Sequence, residues 1–110
     1  MSLKVKRINT NLKREISLIL ANEVKDKNIN FVTVTDVETS SDLSVAKVYV
    51  TILNDEKREE IMKSLLNVKG FIRSQLFDRV EVRKIPDLKF IYDKSIEEGF
   101  KIEQMLKDLK

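Results

Sequence analysis

The sequence predicts an α+β fold: a three-stranded mixed sheet with helices packed mainly on one face. Three patterns in the 110-residue chain predict it. Two long stretches repeat apolar residues at helical spacing. Two shorter stretches between them are built for strands. A third strand follows a proline that no helix can cross.

The first helix is expected from about Leu3 to Lys25, with Ser2 as its cap and Val5, Ile8, Leu12, Ile16, Ile19 and Val24 as its buried face. Asp26-Lys27-Asn28 ends it. Phe31 to Val37 is dense in β-branched residues and reads as a strand. Ser40-Ser41-Asp42 is a turn signal. Val45 to Ile52 then alternates, with Ala46, Val48, Val50 and Ile52 on one face and Lys47, Tyr49 and Thr51 on the other. The two strands make an antiparallel hairpin with one buried face.

A helical stripe follows from about Lys57 to Val80: Ile61, Leu65, Val68, Ile72, Leu76, Val80. Gly70 interrupts it. A mid-helix glycine costs about 1 kcal/mol relative to alanine and often marks a bend. The expectation is two helices in tandem, kinked at Val68-Lys69-Gly70. Pro86 then forces extended chain. Leu88, Phe90 and Tyr92 alternate with Lys89 and Ile91 as a third strand. A crossover through the helices makes strands two and three parallel if they are adjacent. Ser95 and Glu98 match a capping box, opening a last helix through Leu109. The whole chain, residues 1–110, reads as a single domain.

Composition narrows the function. There is no Cys and no His, which removes disulfides, thiolate metal sites and the commonest general base. There is no Gly-rich phosphate loop, because the only glycines are Gly70 and Gly99. Asp36, Glu38 and Asp42 lie close in sequence around the hairpin, but such clusters are more often turn chemistry than a metal site. No enzyme, cofactor or metal is expected. The start of the chain has no signal-peptide h-region, and no apolar run approaches the roughly 20 residues of a membrane span. A cytoplasmic monomer is expected.

Charge is uneven. Residues 1–27 carry seven Lys/Arg against three acids, and residues 69–84 carry five against two. Two basic blocks on a neutral to acidic body suit a phosphate-bearing partner. Phe71, Phe77, Phe90 and Phe100 read as core, which leaves few aromatics for base stacking. That favours recognition of RNA backbone and shape.

Ala46-Lys-Val-Tyr-Val-Thr51, Gly70-Phe-Ile-Arg73, Arg83-x-x-Pro-Asp-Leu-x-Phe-x-x-Asp93, and Ser95 with Gly99 together resemble the ribosome-binding factor A family over nearly the whole chain. The resemblance implies one KH-like RNA-binding domain of the type II arrangement, with a helix–kink–helix whose elbow is a small-x-Gly sequence. It implies a non-enzymatic assembly factor that binds small-subunit rRNA and the isolated small ribosomal subunit during late maturation. This chain has Val68 where the family elbow usually has Ala. It has Asp26-Lys27-Asn28 where the family usually has Asp-Pro-basic.

Carrying the family's RNA surface over selects Arg7, Arg14, Lys69, Arg73, Arg79, Arg83 and Lys84, with Lys6 and Lys13 as weaker candidates. The competing reading for Arg73 and Arg83 is a structural salt bridge to Asp78, Asp87 or Asp93. The alternative function is a protein-interaction module acting through a strand edge or the last helix. A third reading is a small nuclease built on Asp36, Glu38 and Asp42. Salt separates the first two, since phosphate binding weakens steeply as salt rises. Metal-dependent RNA cleavage would mark the third.

Overall fold

The computed structural model describes residues 3–53 and 55–95. Helix α1 runs Leu3–Asn22, strand β1 Val32–Thr39, strand β2 Val45–Ile52, helix α2 Arg58–Arg79 and strand β3 Asp87–Tyr92. Short 3-10 helices at Lys27–Phe31 and Asp55–Lys57 precede β1 and α2. The expected last helix, with the capping-box partner Glu98, lies outside the described residues.

The sheet order is β1-β2-β3, with β1 antiparallel and β3 parallel to β2. This is the mixed sheet that the crossover through α2 requires. Ala46, Val48, Val50, Leu88 and Phe90 face the helices and are buried with Ile8, Leu12, Ile16 and Ile19 of α1 and Leu65, Ile72 and Leu76 of α2. The side-chain alternation of β2 and the stripes of both helices therefore meet in one core.

α1 stops short of Lys25 because Asp26 starts something else. Its backbone is extended, and its carboxylate accepts from the Asn28 amide at 2.9 Å, capping the 3-10 helix. Ile29 anchors that helix in the core. The turn delays β1 to Val32, one residue later than the β-branched run suggests. Within β1 the register shifts between Val34 and Asp36. The extra residue, Thr35, lets Val34 and Val37 both point inward although they are three apart.

The hairpin turn carries a strained residue. Leu43 has φ 62, a left-handed conformation that costs a leucine energy. Its side chain packs against the core, and Asp42 holds the loop around it. The Asp42 carboxylate accepts from the hydroxyls of Ser40 and Ser44 at 2.7 Å each and from the Ser44 amide at 3.1 Å. The Ser40 and Ser44 hydrogen bonds, led by the Ser40 hydroxyl, lower its pKa from 3.8 to about 2.

Two expectations are corrected. The tandem pair broken at Gly70 is a single α-helix, continuous from Arg58 to Arg79. Ile61 and Leu65 before the glycine and Ile72 and Leu76 after it are fully buried. Each contributes on the order of 2 kcal/mol by burial, which outweighs the roughly 1 kcal/mol glycine penalty. Phe71 and Phe77 are not core: they are 42% and 74% exposed. At about 100° per residue, the neighbours of Ile72 and Leu76 swing off the buried face. Phe90 is buried as expected, and Phe100 lies outside the described residues.

Candidate nucleic-acid interface

The seven candidate cations divide by what their side chains touch. Arg73 sits on α2 above the chain leading into β3. Its Nε donates to the Pro86 carbonyl at 3.2 Å and its Nη2 to the Ile85 carbonyl at 3.0 Å. Neither carbonyl is in a strand ladder, so a planar guanidinium satisfies two acceptors at once. The carboxylate partners considered for Arg73 are not the ones it takes. One helical turn earlier, Lys69 Nζ lies 3.1 Å from Asp87 Oδ1. Together the two side chains pin the start of β3 beneath α2.

Arg79 ties the two helices. Its Nη1 is 3.6 Å from Glu15 Oε2 and its Nη2 is 3.3 Å from Glu23 Oε1, both on or just beyond α1. Arg14 stays on its own helix, with Nε 3.4 Å from Glu15 Oε1 and Nη2 donating to Asn11 Oδ1 at 3.3 Å. It is otherwise exposed, as are Arg7, Arg83 and Lys84.

The cations that do come together are Arg7 and Arg83. They line one cleft of about 610 Å³ between the start of α1, the hairpin turn and the chain leaving α2. Leu3, Ile8, Leu43 and Val82 supply its apolar wall, and Lys4, Asn11 and Glu81 its polar rim. A second cavity of about 320 Å³, lined by Lys6, Arg7, Thr10 and Asn11, continues along α1. Arg7 belongs to both. Lys6, the weaker candidate, thus adjoins the strongest one.

Sequence reasoning missed Lys4, which lines the cleft. The signal was present, because Lys4 and Arg7 are three apart on a helix and share a face. It missed Leu43 as well, since nothing in the sequence marks a leucine for a left-handed turn.

The acidic residues around the hairpin do not converge. Asp42 is engaged by Ser40 and Ser44. Asp36 accepts from the Val37 amide at 2.9 Å, and the Tyr49 hydroxyl donates to Glu38 at 3.4 Å. Burial, followed by the nearby Glu38 carboxylate, raises the Tyr49 pKa. Among the described residues, no group of three or more acidic side chains is placed to hold a metal ion. No described helix is long and apolar enough to cross a membrane.

Comparison with known proteins places this architecture. A family model described as ribosome-binding factor A matches residues 4–106. The ribosome-binding factor A of Macrococcus caseolyticus is 49% identical over 110 residues, covering 99% of this chain and 96% of the relative. That of Thermodesulfovibrio yellowstonii is 40% identical over 107 residues, covering 97% and 91%. Among solved structures, ribosome-binding factor A from Thermus thermophilus superposes with TM-score 0.73 at 27% identity, over 80% of this chain and 94% of that one. A solution structure of a Thermotoga maritima protein, named as a putative ribosome-binding factor A, gives 0.73 at 27% identity over 88% and 93%. A coordinate set for the Thermus factor, fitted into the cryo-EM map of its complex with the 30S, gives 0.64 at 26% identity over 78% and 91%. The mixed sheet under two helices is thus the KH-like fold of these structures. With a family model spanning nearly every residue and relatives approaching half identity, the chain belongs to the ribosome-binding factor A family.

Proposed function

We propose that this chain is an RNA-binding assembly factor of the small ribosomal subunit, acting as one domain over residues 1–110 in the cytoplasm. Its family is non-catalytic, and the related Thermus factor has been fitted into a map of its complex with the 30S. The chain's own surface supplies the chemistry for a similar contact. The carrying observation is the cleft that joins Arg7 of the first basic block to Arg83 of the second. Two cations distant in sequence converge on one concave surface, where the low-dielectric apolar wall strengthens their field on a phosphate.

The cations take different roles in this reading. Arg7, Arg83 and Lys84 contact phosphate, supported by Lys4, Lys6 and Arg14. Lys69, Arg73 and Arg79 position the elements, because each is already engaged by acceptors of the chain. Val68, Lys69 and Gly70 remain an elbow in function: an added Cβ at Gly70 would meet no atom within 4 Å, so bare backbone faces outward there.

The direct test is sedimentation with isolated small subunits. The protein is expected to travel with them at low salt and to be released as salt rises. Protein that stays free at low salt would remove this reading. Retention that ignores salt would favour the alternative, a protein contact through a strand edge.

A further inference from the structure

The outer face of α2 is dressed unlike the solvated face of a helix. Phe77 is 74% exposed and Leu66 58% exposed, and Gly70 lies between them with open space where a side chain would be. Residues 66, 70, 73 and 77 follow steps of four, three and four, so they form one row along the helix. Phe71, 42% exposed, flanks the row. These are the aromatics that composition assigned to the core and that the fold leaves in solvent.

A folded chain gains nothing by displaying a phenylalanine this far from its core. The patch is also poorly made for an apolar protein interface. Leu66 and Phe77 are eleven residues apart, roughly 16 Å along the axis. Between and beside them lie Asn67, Gly70 and Ser74, all exposed. A protein interface core needs contiguous apolar area. Separate apolar plates spaced by small polar residues suit separate flat rings instead. Charge agrees: exposed Lys63 stands at one end of the row, and exposed Arg83 and Lys84 follow soon after α2 at the other. Asp78 is the one acid beside Phe77 on this helix turn.

We propose that Phe77, with Leu66 across the bare backbone at Gly70, forms a stacking platform for unpaired nucleobases. The ring of Phe77 lies against a base, and the open surface at Gly70 admits the sugar-phosphate backbone linking it to the next. The flanking cations meet its phosphates. This rests on the RNA-binding reading above and adds the state of the RNA: single-stranded nucleotides at α2, next to the phosphate-binding cleft. Stacking is tolerant of base identity, so the platform selects unpaired RNA over duplex rather than one sequence over another.

The chain contains no Trp, so Phe77→Trp installs a unique fluorophore at the platform. Its emission is expected to be quenched by an unpaired adenosine oligonucleotide and not by an RNA duplex of the same length. In parallel, Phe77→Ala and the parent are titrated with isolated small subunits across a salt series. Phe77→Ala is expected to bind about tenfold more weakly at every salt concentration, because stacking releases no counterions. Phe77→Leu is expected to fall with Ala and Phe77→Tyr to hold near the parent.

Three results overturn the platform. Unquenched emission with parent-like binding by Phe77→Ala removes it while leaving the RNA-binding reading intact. Weaker subunit binding with unchanged binding to naked rRNA assigns Phe77 to a protein contact. A melting temperature lowered in Phe77→Ala shows that the ring is covered by the chain itself. Failure of the parent to bind subunits would instead strike the underlying reading.

Discussion

Arg73 and Pro86 are joined side chain to backbone: the Arg73 Nε donates to the Pro86 carbonyl at 3.2 Å, while Nη2 reaches the adjacent Ile85 carbonyl at 3.0 Å. A proline cannot be fixed through its own amide, so this segment is held from above by α2. The Lys69–Asp87 contact adds a second point one turn away. These two cations were candidates for RNA contact because of their charge. Their geometry makes them the fasteners of β3.

Arg73→Ala should therefore lower stability, by about 2 kcal/mol, since hydrogen bonds from a charged group contribute roughly 1.5–3 kcal/mol. Arg73→Lys should recover little of it, because an ammonium on a flexible stem does not reproduce the two-pronged geometry. Urea unfolding measures both. A variant as stable as the parent would show that the carbonyl contacts contribute nothing.

Gly70→Ala should stabilise the protein by up to about 1 kcal/mol. The position is helical and an added Cβ has room, so only the conformational benefit remains. The same variant should weaken RNA binding if bare backbone at this point matters to the contact. Denaturant midpoints and subunit titrations separate the two effects. Loss of stability would mean that the helix is strained at Gly70 in a way only glycine tolerates.

The hairpin turn should make stability acid-sensitive. The folded pKa of Asp42 is depressed from 3.8 to about 2 by the Ser40 and Ser44 hydrogen bonds. A depressed carboxylate contributes stability that is fully present above the unfolded pKa and lost as pH falls through the folded one. The contribution of Asp42 should hold above about pH 4 and disappear towards pH 2. Asp93 is also lowered, by the Ser95 hydroxyl first and the Thr35 hydroxyl second, and adds in the same direction. Asp42→Ala should unfold more readily than the parent at neutral pH, and the gap should close in acid. A gap that widens on acidification would reverse the sign of the argument.

Arg79 should couple α1 to α2. Its side chain is 28% exposed and that of Glu15 16%, which shields the contact better than an open surface pair. A double-mutant cycle of Arg79→Ala with Glu15→Ala should give a coupling of about 0.5–1 kcal/mol, smaller in high salt. No coupling at low salt would free Arg79 for a role in RNA binding.

The sequence made the layers of this fold legible because burial imposes a period on it. The alternation of Ala46, Val48, Val50 and Ile52, and the row from Val5 to Ile19, can only be satisfied by one shared core. Three things were beyond a periodic reading. The bulge at Thr35 inserts a residue that resets the phase of β1. The continuity of α2 is decided by burial on both sides of Gly70, a tertiary quantity. The exposure of Phe71 and Phe77 follows from which arc of α2 meets the sheet, and a phenylalanine near an apolar row reads as core until that arc is fixed. For the site, sequence selected the right cations as a set. It could not say that Lys69, Arg73 and Arg79 already had acceptors, because those acceptors are backbone carbonyls and distant carboxylates brought close only by the fold.

Binding to isolated small subunits across a salt series tests the central claim most directly. The measurement compares the parent with Arg7→Ala, Arg83→Ala, their double variant, and Lys69→Ala. A face engaging about four to six phosphates gives a slope of log K against log salt of roughly −3 to −5. Arg7→Ala and Arg83→Ala should each make that slope shallower by about one unit, and the double variant by about two. Lys69→Ala should leave it unchanged, since that side chain is held by Asp87. A flat response in the parent, or a slope that moves with Lys69 and ignores Arg7 and Arg83, would contradict the account.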